Sequence, residues 1–336
     1  MNLLWGLLLG VACMSTPPKN TPKTPGSESP AEETPPPDQN MVVVEGLQPM
    51  PYGYWGLNGF VNPEGLALIQ QRIVLTTFQS ATSDPDYAVR FLLPQVKAAG
   101  LKLSLRLTDD HEAYTTAEGD FDLSAWKNQL SRWKDSGIQQ YIDDDVLIGH
   151  MLLDDITNFS GRDPDAADLE EMARYSKELM PGLMTFVRQQ ASHLPEPAGG
   201  RYVYVDAAVN QYEVMEGPVD LYGAGNAAAS ERLGLGIING LNIADGGDGS
   251  SGQAGYRANH YAMSAEEILR FGHELLRVPN CGMFLNWEYD SKEQWHDGTI
   301  GTDYFTRPEL QAALIDLGQT AQRIPRVPLL KSGSPP

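Results

Sequence analysis

Three observations predict an α/β fold of the (β/α)8 (TIM) barrel type. Short apolar runs recur eight times from residue 52 to residue 289, helical patterns fill the segments between them, and no Gly-x-Gly-x-x-Gly turn follows an early run. Eight strand-then-helix units over roughly 280 residues match the usual size of such a barrel. An open doubly wound sheet is the runner-up, and the missing glycine fingerprint argues against it.

The runs are Tyr52–Asn58, Ile73–Phe78, Leu101–Thr108, Val146–Asp154, Leu183–Arg188, Tyr202–Asp206, Gly236–Ile243 and Gly282–Tyr289. Between them, Leu123, Trp126, Leu130 and Trp133 fall on one helical face that Gly137 ends. Asp163-Pro164 starts a helix carrying Leu169, Met172 and Ala173. Ser264 with Glu267, and Thr306 with Glu309, read as capping boxes. A helix over 86–99 should kink at Pro94, which lacks the N–H its turn needs.

The ends read differently. Residues 1–13 combine a short apolar run with small residues before Cys13, which fits a signal peptide with a lipobox-like cysteine as the lipidation site. An ordinary secretory signal is the alternative. Residues 14–45 are rich in Pro, Thr, Ser and Glu and read as a disordered tether. The barrel is assigned to 46–325, and 326–336 to a loose tail. The expected location is therefore the bacterial envelope, anchored by lipid, or the secreted fraction. A monomer is the expected state.

Charge narrows the partners. Among 336 residues, 24 Lys+Arg face 44 Asp+Glu, a formal net charge of −20. A nucleic-acid partner needs a basic face and is excluded. Membrane contact is confined to the possible lipid anchor. A neutral or cationic ligand fits. Cys13 and Cys281 rule out a disulfide framework and a cysteine-ligated zinc site. The 6 histidines form neither His-x-His nor His-Glu-x-x-His, so neither a metal nor another cofactor is expected. There is no Gly-x-Ser-x-Gly elbow. The run Asp245–Gly252 carries two aspartates that would repel a phosphate, and reads as a flexible rim loop.

Side chains on a strand alternate between faces. With the leucines of the third run facing helices, Ser104, Arg106 and Thr108 point inward. The same rule places His150, Asp154, Tyr202, Tyr204, Asp206, Asn239, Asn286 and Glu288 inward, with Asp245 just past the seventh strand. Buried charges need partners, so Arg106, Asp154, Asp206 and Glu288 are expected to form one neutralising cluster at the carboxyl rim, where barrels carry their chemistry.

Paired carboxylates are the remaining chemistry. Cleaving a glycosidic bond takes one carboxyl group to protonate the leaving oxygen and a second to attack or to activate water. Asp154 or Asp155 is the candidate acid, and Glu288 or Asp245 the second carboxylate. Arg106, His150, Arg188, Asp206, Asn242 and Asn286 are candidate hydroxyl binders, with Trp55, Tyr204, Trp287 and Tyr289 as sugar-stacking rings.

The run Gly149-His-Met-Leu-Leu-Asp-Asp155 resembles the fourth strand of (β/α)8 glycoside hydrolases, which ends in an acid, commonly Asn-Glu or Asp-Glu. The run Gly282-Met-Phe-Leu-Asn-Trp-Glu-Tyr-Asp290 is similar to their eighth strand, whose Trp lines the sugar site. Ala173–Lys177, Gly240–Gly246 and Trp287–Asp290 also resemble segments of uncharacterised secreted bacterial barrel proteins and lipoproteins. The likeness implies a carbohydrate ligand and a glycosidase. Two departures stand out: the acid after strand four is Asp rather than Glu, and near the end of strand seven only Asp245 stands where a nucleophilic Glu is usual. A non-catalytic glycan-binding lipoprotein on the same fold is the second reading. A structural envelope protein is the third. A rim with every acid locked to an arginine would favour binding alone.

Overall fold

The computed structural model describes residues 48–57, 63–289, 297–299 and 301–331. Cys13, the expected signal and tether, Asn58, Asp290, His296 and residues 332–336 lie outside the described residues.

Eight parallel strands close into a barrel: β1 (Tyr52–Tyr54), β2 (Thr77–Ala81), β3 (Lys102–Arg106), β4 (Leu147–Asp154), β5 (Met184–Arg188), β6 (Ala207–Tyr212), β7 (Gly236–Leu241) and β8 (Cys281–Asn286), with β8 pairing back onto β1. Helices Pro63–Arg72, Leu123–Leu130, Ala166–Leu179, Val219–Leu233, Ala265–Leu276 and Pro308–Gln322 pack around it. The link from β5 to β6 carries a single 3-10 turn, Ala191–His193, in place of a helix.

Local chemistry sets the helix ends. Ser264 and Glu267 form the expected capping box. The helix after β4 starts slightly later than Asp163-Pro164 suggests, with Asp165 and Asp168 exchanging cap bonds. Thr306 is not a cap: Arg307 holds that position without a side-chain bond, and Pro308 opens the helix. Around Pro94 the chain resolves the missing donor with a π-turn over Ala88–Leu92, so that a new helical segment begins at Leu93.

The strand faces differ from the polarity rule. Met151, Met184, Phe186, Val209, Ile238, Met283 and Leu285 form one apolar cluster separate from the larger one shared with the helices. Ser104 and Arg106 do point inward, Ser104 bonding Gln79 across β2. Yet His150 faces the helix layer, with Nδ1 2.7 Å from Ser176 Oγ and its ring on Trp126. Asn239 faces the same layer and donates to the Leu275 carbonyl at 3.0 Å. Asn286 does likewise, donating to Tyr52 Oη at 3.2 Å. Polar side chains therefore sit between strands and helices wherever a partner is built in, because a satisfied polar group there costs little. His150 and Asn286 are thus corrected from ligand-facing to structural positions, and Asn239 from inward-facing to the helix layer.

Burial lowers the His150 pKa from 6.5 to about 3. The unfolded chain takes up this proton below about pH 6.5, while the folded chain resists it until about pH 3. The stabilisation is therefore present above pH 6.5 and drains away as pH falls towards 3. His150→Gln should flatten the stability–pH curve between pH 6.5 and 4, measured by urea unfolding across that range. Parallel curves for the two proteins would contradict this assignment.

The sixth strand is also corrected. Tyr202–Asp206 alternates like a strand but forms the segment entering β6, at the amino-terminal mouth of the barrel. There Glu170 accepts the Val203 and Tyr204 N–H groups. Asp206 is fully buried and takes the Lys177 ammonium at 2.5 Å, the Thr185 N–H at 2.8 Å and the Lys331 N–H at 3.0 Å.

The supposed loose tail packs under that same mouth as far as Lys331. Arg326 N–H bonds the Gln48 carbonyl at 2.7 Å. Leu329 is buried against the starts of β7 and β8, where a Cβ on Gly236 or Gly282 would stand only 2.5 or 2.6 Å from its Cδ2. The two glycines make the space that the leucine fills. Leu329→Ala should cost about 2 kcal/mol or more in unfolding free energy. An unchanged urea midpoint would show that the leucine plugs nothing.

Candidate functional site

The carboxyl ends of β4 to β8 surround a cleft of about 340 Å³. Its walls include Asp155, Arg188, Gln211, Glu213, Glu216, Asn242, Tyr256, Arg257 and Trp287.

A bulge delivers the first acids. Along β4 and β5, Gly149, His150 and Met151 pair with Met184, Thr185 and Phe186, but Asp154 pairs with Arg188. One extra residue on β4 reverses its alternation. Asp154 therefore meets Arg188 although His150, of the same parity, faces outward. Asp155 follows in the left-handed region at φ 60°.

Arg188 serves both acids: its Nε bonds Asp154, and its Nη2 lies 2.7 Å from Asp155 Oδ2. The guanidinium rests over the Trp55 ring at 5.8 Å. Trp55 is thus a buried platform for Arg188 and does not line the cleft. Burial pushes the Asp155 carboxyl above its usual range; Arg188 pulls it back and the Asp154 charge adds to the rise.

A second network stands on the β6–β7 side. Glu213, the first residue past β6, accepts from the Asn242 amide at 3.1 Å and from Arg257 Nη2 at 3.2 Å. Arg257 Nε also bonds Asp245 at 2.8 Å, and the Asp245 side chain has no exposed surface. Asp245 is the anchor of Arg257 behind the wall. Glu216, exposed, accepts from the Gln190 amide at 2.7 Å.

The segment after β7 is organised. Asp248 accepts the Ser250 N–H, Glu267 accepts the Asp248 N–H, and Tyr261 bridges Gly246, Gly247 and Ala254. It brings Tyr256 edge-to-face onto Trp287, ring centres 5.7 Å apart, as an aromatic wall. Asn242 and Trp287 form an isolated bridge that holds the two rim positions side by side. The Trp287–Glu288 peptide is cis.

The remaining candidates lie elsewhere. Glu288 packs on Gly56, where an added Cβ would come within 2.8 Å of its carboxylate, and it does not line the cleft. Tyr289 is buried between Tyr54 and Phe305. Tyr204 and Asp206 are at the opposite mouth. Arg106 approaches Asp154 at 4.0 Å and bonds Asp110. The expected four-charge cluster is therefore corrected to Arg106, Asp154, Asp155 and Arg188, without Asp206 or Glu288.

Of the sequence candidates, the cleft gathers Asp155, Arg188, Asn242 and Trp287. Sequence reasoning missed Glu213, Glu216, Gln211, Tyr256 and Arg257. A sixth strand placed at Ala207–Tyr212 would have put Glu213 at the rim at once. One buried donor of this lining, Gln211 Nε2, has no hydrogen-bond partner among the described residues. Unpaired buried donors favour a ligand rich in acceptor oxygens.

No sequence-family profile and no curated protein sequence matches the chain. Its architecture is similar to that of a GH113 β-mannanase from Alicyclobacillus acidocaldarius, solved in complex with ManMIm, at 12% identity, over 82% of this chain and 98% of that one, with a TM-score of 0.53. It is also similar to Gas2 of Saccharomyces cerevisiae, at 11% identity, over 86% of this chain and 70% of that one, with a TM-score of 0.52. The fold they share is the closed (β/α)8 barrel. At these identities the likeness is one of fold, and function must be argued from the site.

Proposed function

We propose that the chain is a glycoside hydrolase-like enzyme that cleaves a carbohydrate in the rim cleft. The observation that carries this reading is one cleft holding a carboxyl group of raised pKa, a second carboxylate and an aromatic wall. Asp155 is the general acid: it keeps its proton to higher pH than an ordinary aspartate and gives it to the glycosidic oxygen. Glu213 is the second carboxylate, attacking the anomeric carbon or activating water. Arg188 and Arg257 hold these two groups in place. Asn242 and Gln211 bond hydroxyls, and Trp287 with Tyr256 stacks on a sugar face. The β-mannanase of similar fold makes a carbohydrate the natural ligand class to test.

The arginine pairing supports a second reading, non-catalytic glycan binding. Asp154 and Asp155 share Arg188, and Asp245 and Glu213 share Arg257. Glu216 has no ion pair among the described residues, so the locking is incomplete. We further infer export through residues 1–13 with lipidation at Cys13, a tether over 14–45 and a monomeric barrel from residue 46.

A panel of oligosaccharides and aryl glycosides tests the reading. Turnover by the full chain supports the hydrolase. Binding without turnover leaves the glycan-binding lipoprotein in its place.

A further inference from the structure

We propose that the cleft is built for a cationic glycan, one whose hexosamine units carry free ammonium groups. The inference rests on the carbohydrate reading and names its substrate class.

With Asp155 protonated as the acid, the carboxylates of Glu213 and Glu216 line the cleft and those of Asp154 and Asp245 stand behind it, against the guanidiniums of Arg188 and Arg257; Arg106 beside them is paired with Asp110. Both guanidiniums are already bonded to carboxylates, although Arg257 keeps half of its side chain exposed. Arg188 is shared between Asp154 and Asp155, and Arg257 between Asp245 and Glu213. Each arginine is thus divided between a carboxylate behind the wall and one in it, and the lining with its backing keeps an excess of negative charge. Glu216 adds an exposed carboxylate whose side-chain partner among the described residues is the Gln190 amide.

A uronate, sulfate or phosphate group entering here would meet acids already bonded to the available cations. An ammonium group would instead find open carboxylate lone pairs and the faces of Trp287 and Tyr256. Carboxylates and aromatic faces together are the surroundings that suit a cation. The net charge of −20 acts in the same direction over longer range, drawing a polycation towards the molecule.

The test measures binding, so it does not depend on turnover. The full chain is titrated calorimetrically with a glucosamine hexamer, its N-acetylated counterpart, mannohexaose and a galacturonate hexamer. The glucosamine hexamer should bind at least about tenfold tighter than the N-acetylated one, an advantage of about 1.4 kcal/mol. The advantage should shrink as NaCl rises from about 20 to about 300 mM, since partly exposed charges are screened. Glu216→Gln should reduce it while mannohexaose binding stays unchanged. Equal or tighter binding of the N-acetylated or neutral hexamer overturns the inference and leaves the carbohydrate reading standing. Binding of the galacturonate hexamer does the same. Failure of all four to bind overturns both.

Discussion

Asp155→Asn and Glu213→Gln should each lower kcat by about 10²–10⁴-fold on the best substrate of the panel, the usual worth of a positioned acid or base. The two roles predict different pH behaviour. Burial raises the Asp155 pKa, so the protonated, active form persists above the ordinary aspartate range. Activity should fall on the alkaline side as this carboxyl ionises, and that limb should disappear in Asp155→Asn. Asp154→Asn should keep more activity than Asp155→Asn, because Asp154 does not line the cleft. Its main contact there is Arg188 Nε, and losing that charge also removes one contribution that raises Asp155. A full pH–rate profile of the three variants checks this. Equal losses in Asp154→Asn and Asp155→Asn, with an unchanged alkaline limb, would remove Asp155 from the acid role.

The largest effect on stability should come from the other mouth of the barrel. Lys177 and Asp206 are 5% and 0% exposed at the side chain and 2.5 Å apart. Lys177→Met would leave the Asp206 carboxylate buried with backbone N–H groups and Thr185 but without its cation. Breaking one side of a buried pair costs about 3–5 kcal/mol, whereas replacing both sides by apolar groups is often nearly neutral. Lys177→Met should therefore lower Tm by roughly 10 °C at about 2–4 °C per kcal/mol. Lys177→Met with Asp206→Leu should recover part of that loss. Calorimetry of both variants is the check. A double variant no better than the single one would show that Asp206 acts mainly through its bonds to Thr185 and Lys331.

These two ends of the barrel explain what was legible in the sequence. Strand count and the parallel barrel follow from apolar runs separated by helical patterns, and seven of the eight runs overlap an observed strand. The sixth failed because Tyr202–Asp206 alternates as a strand would, while the true strand opens with the bland pair Ala207-Ala208. That slip hid Glu213 and moved Tyr204 and Asp206 to the wrong mouth. The polarity rule failed at His150, Asn239 and Asn286 because their partners Ser176, the Leu275 carbonyl and Tyr52 come from distant parts of the chain. Asp154 came out inward only because a bulge reversed the alternation after His150, which no periodicity reveals. Arg257 and Tyr256 were hidden in a glycine-rich segment whose order rests on Tyr261 and Glu267.

The central claim is that Asp155 and Glu213 flank the bond that is cleaved. The most direct test is a crystal structure of Glu213→Gln with the best oligosaccharide of the panel bound. The account predicts a glycosidic oxygen within hydrogen-bond reach of the Asp155 carboxyl, the anomeric carbon turned towards residue 213, and a sugar ring on Trp287. A chain bound outside the cleft, or one whose linkages all lie beyond reach of Asp155, would contradict it.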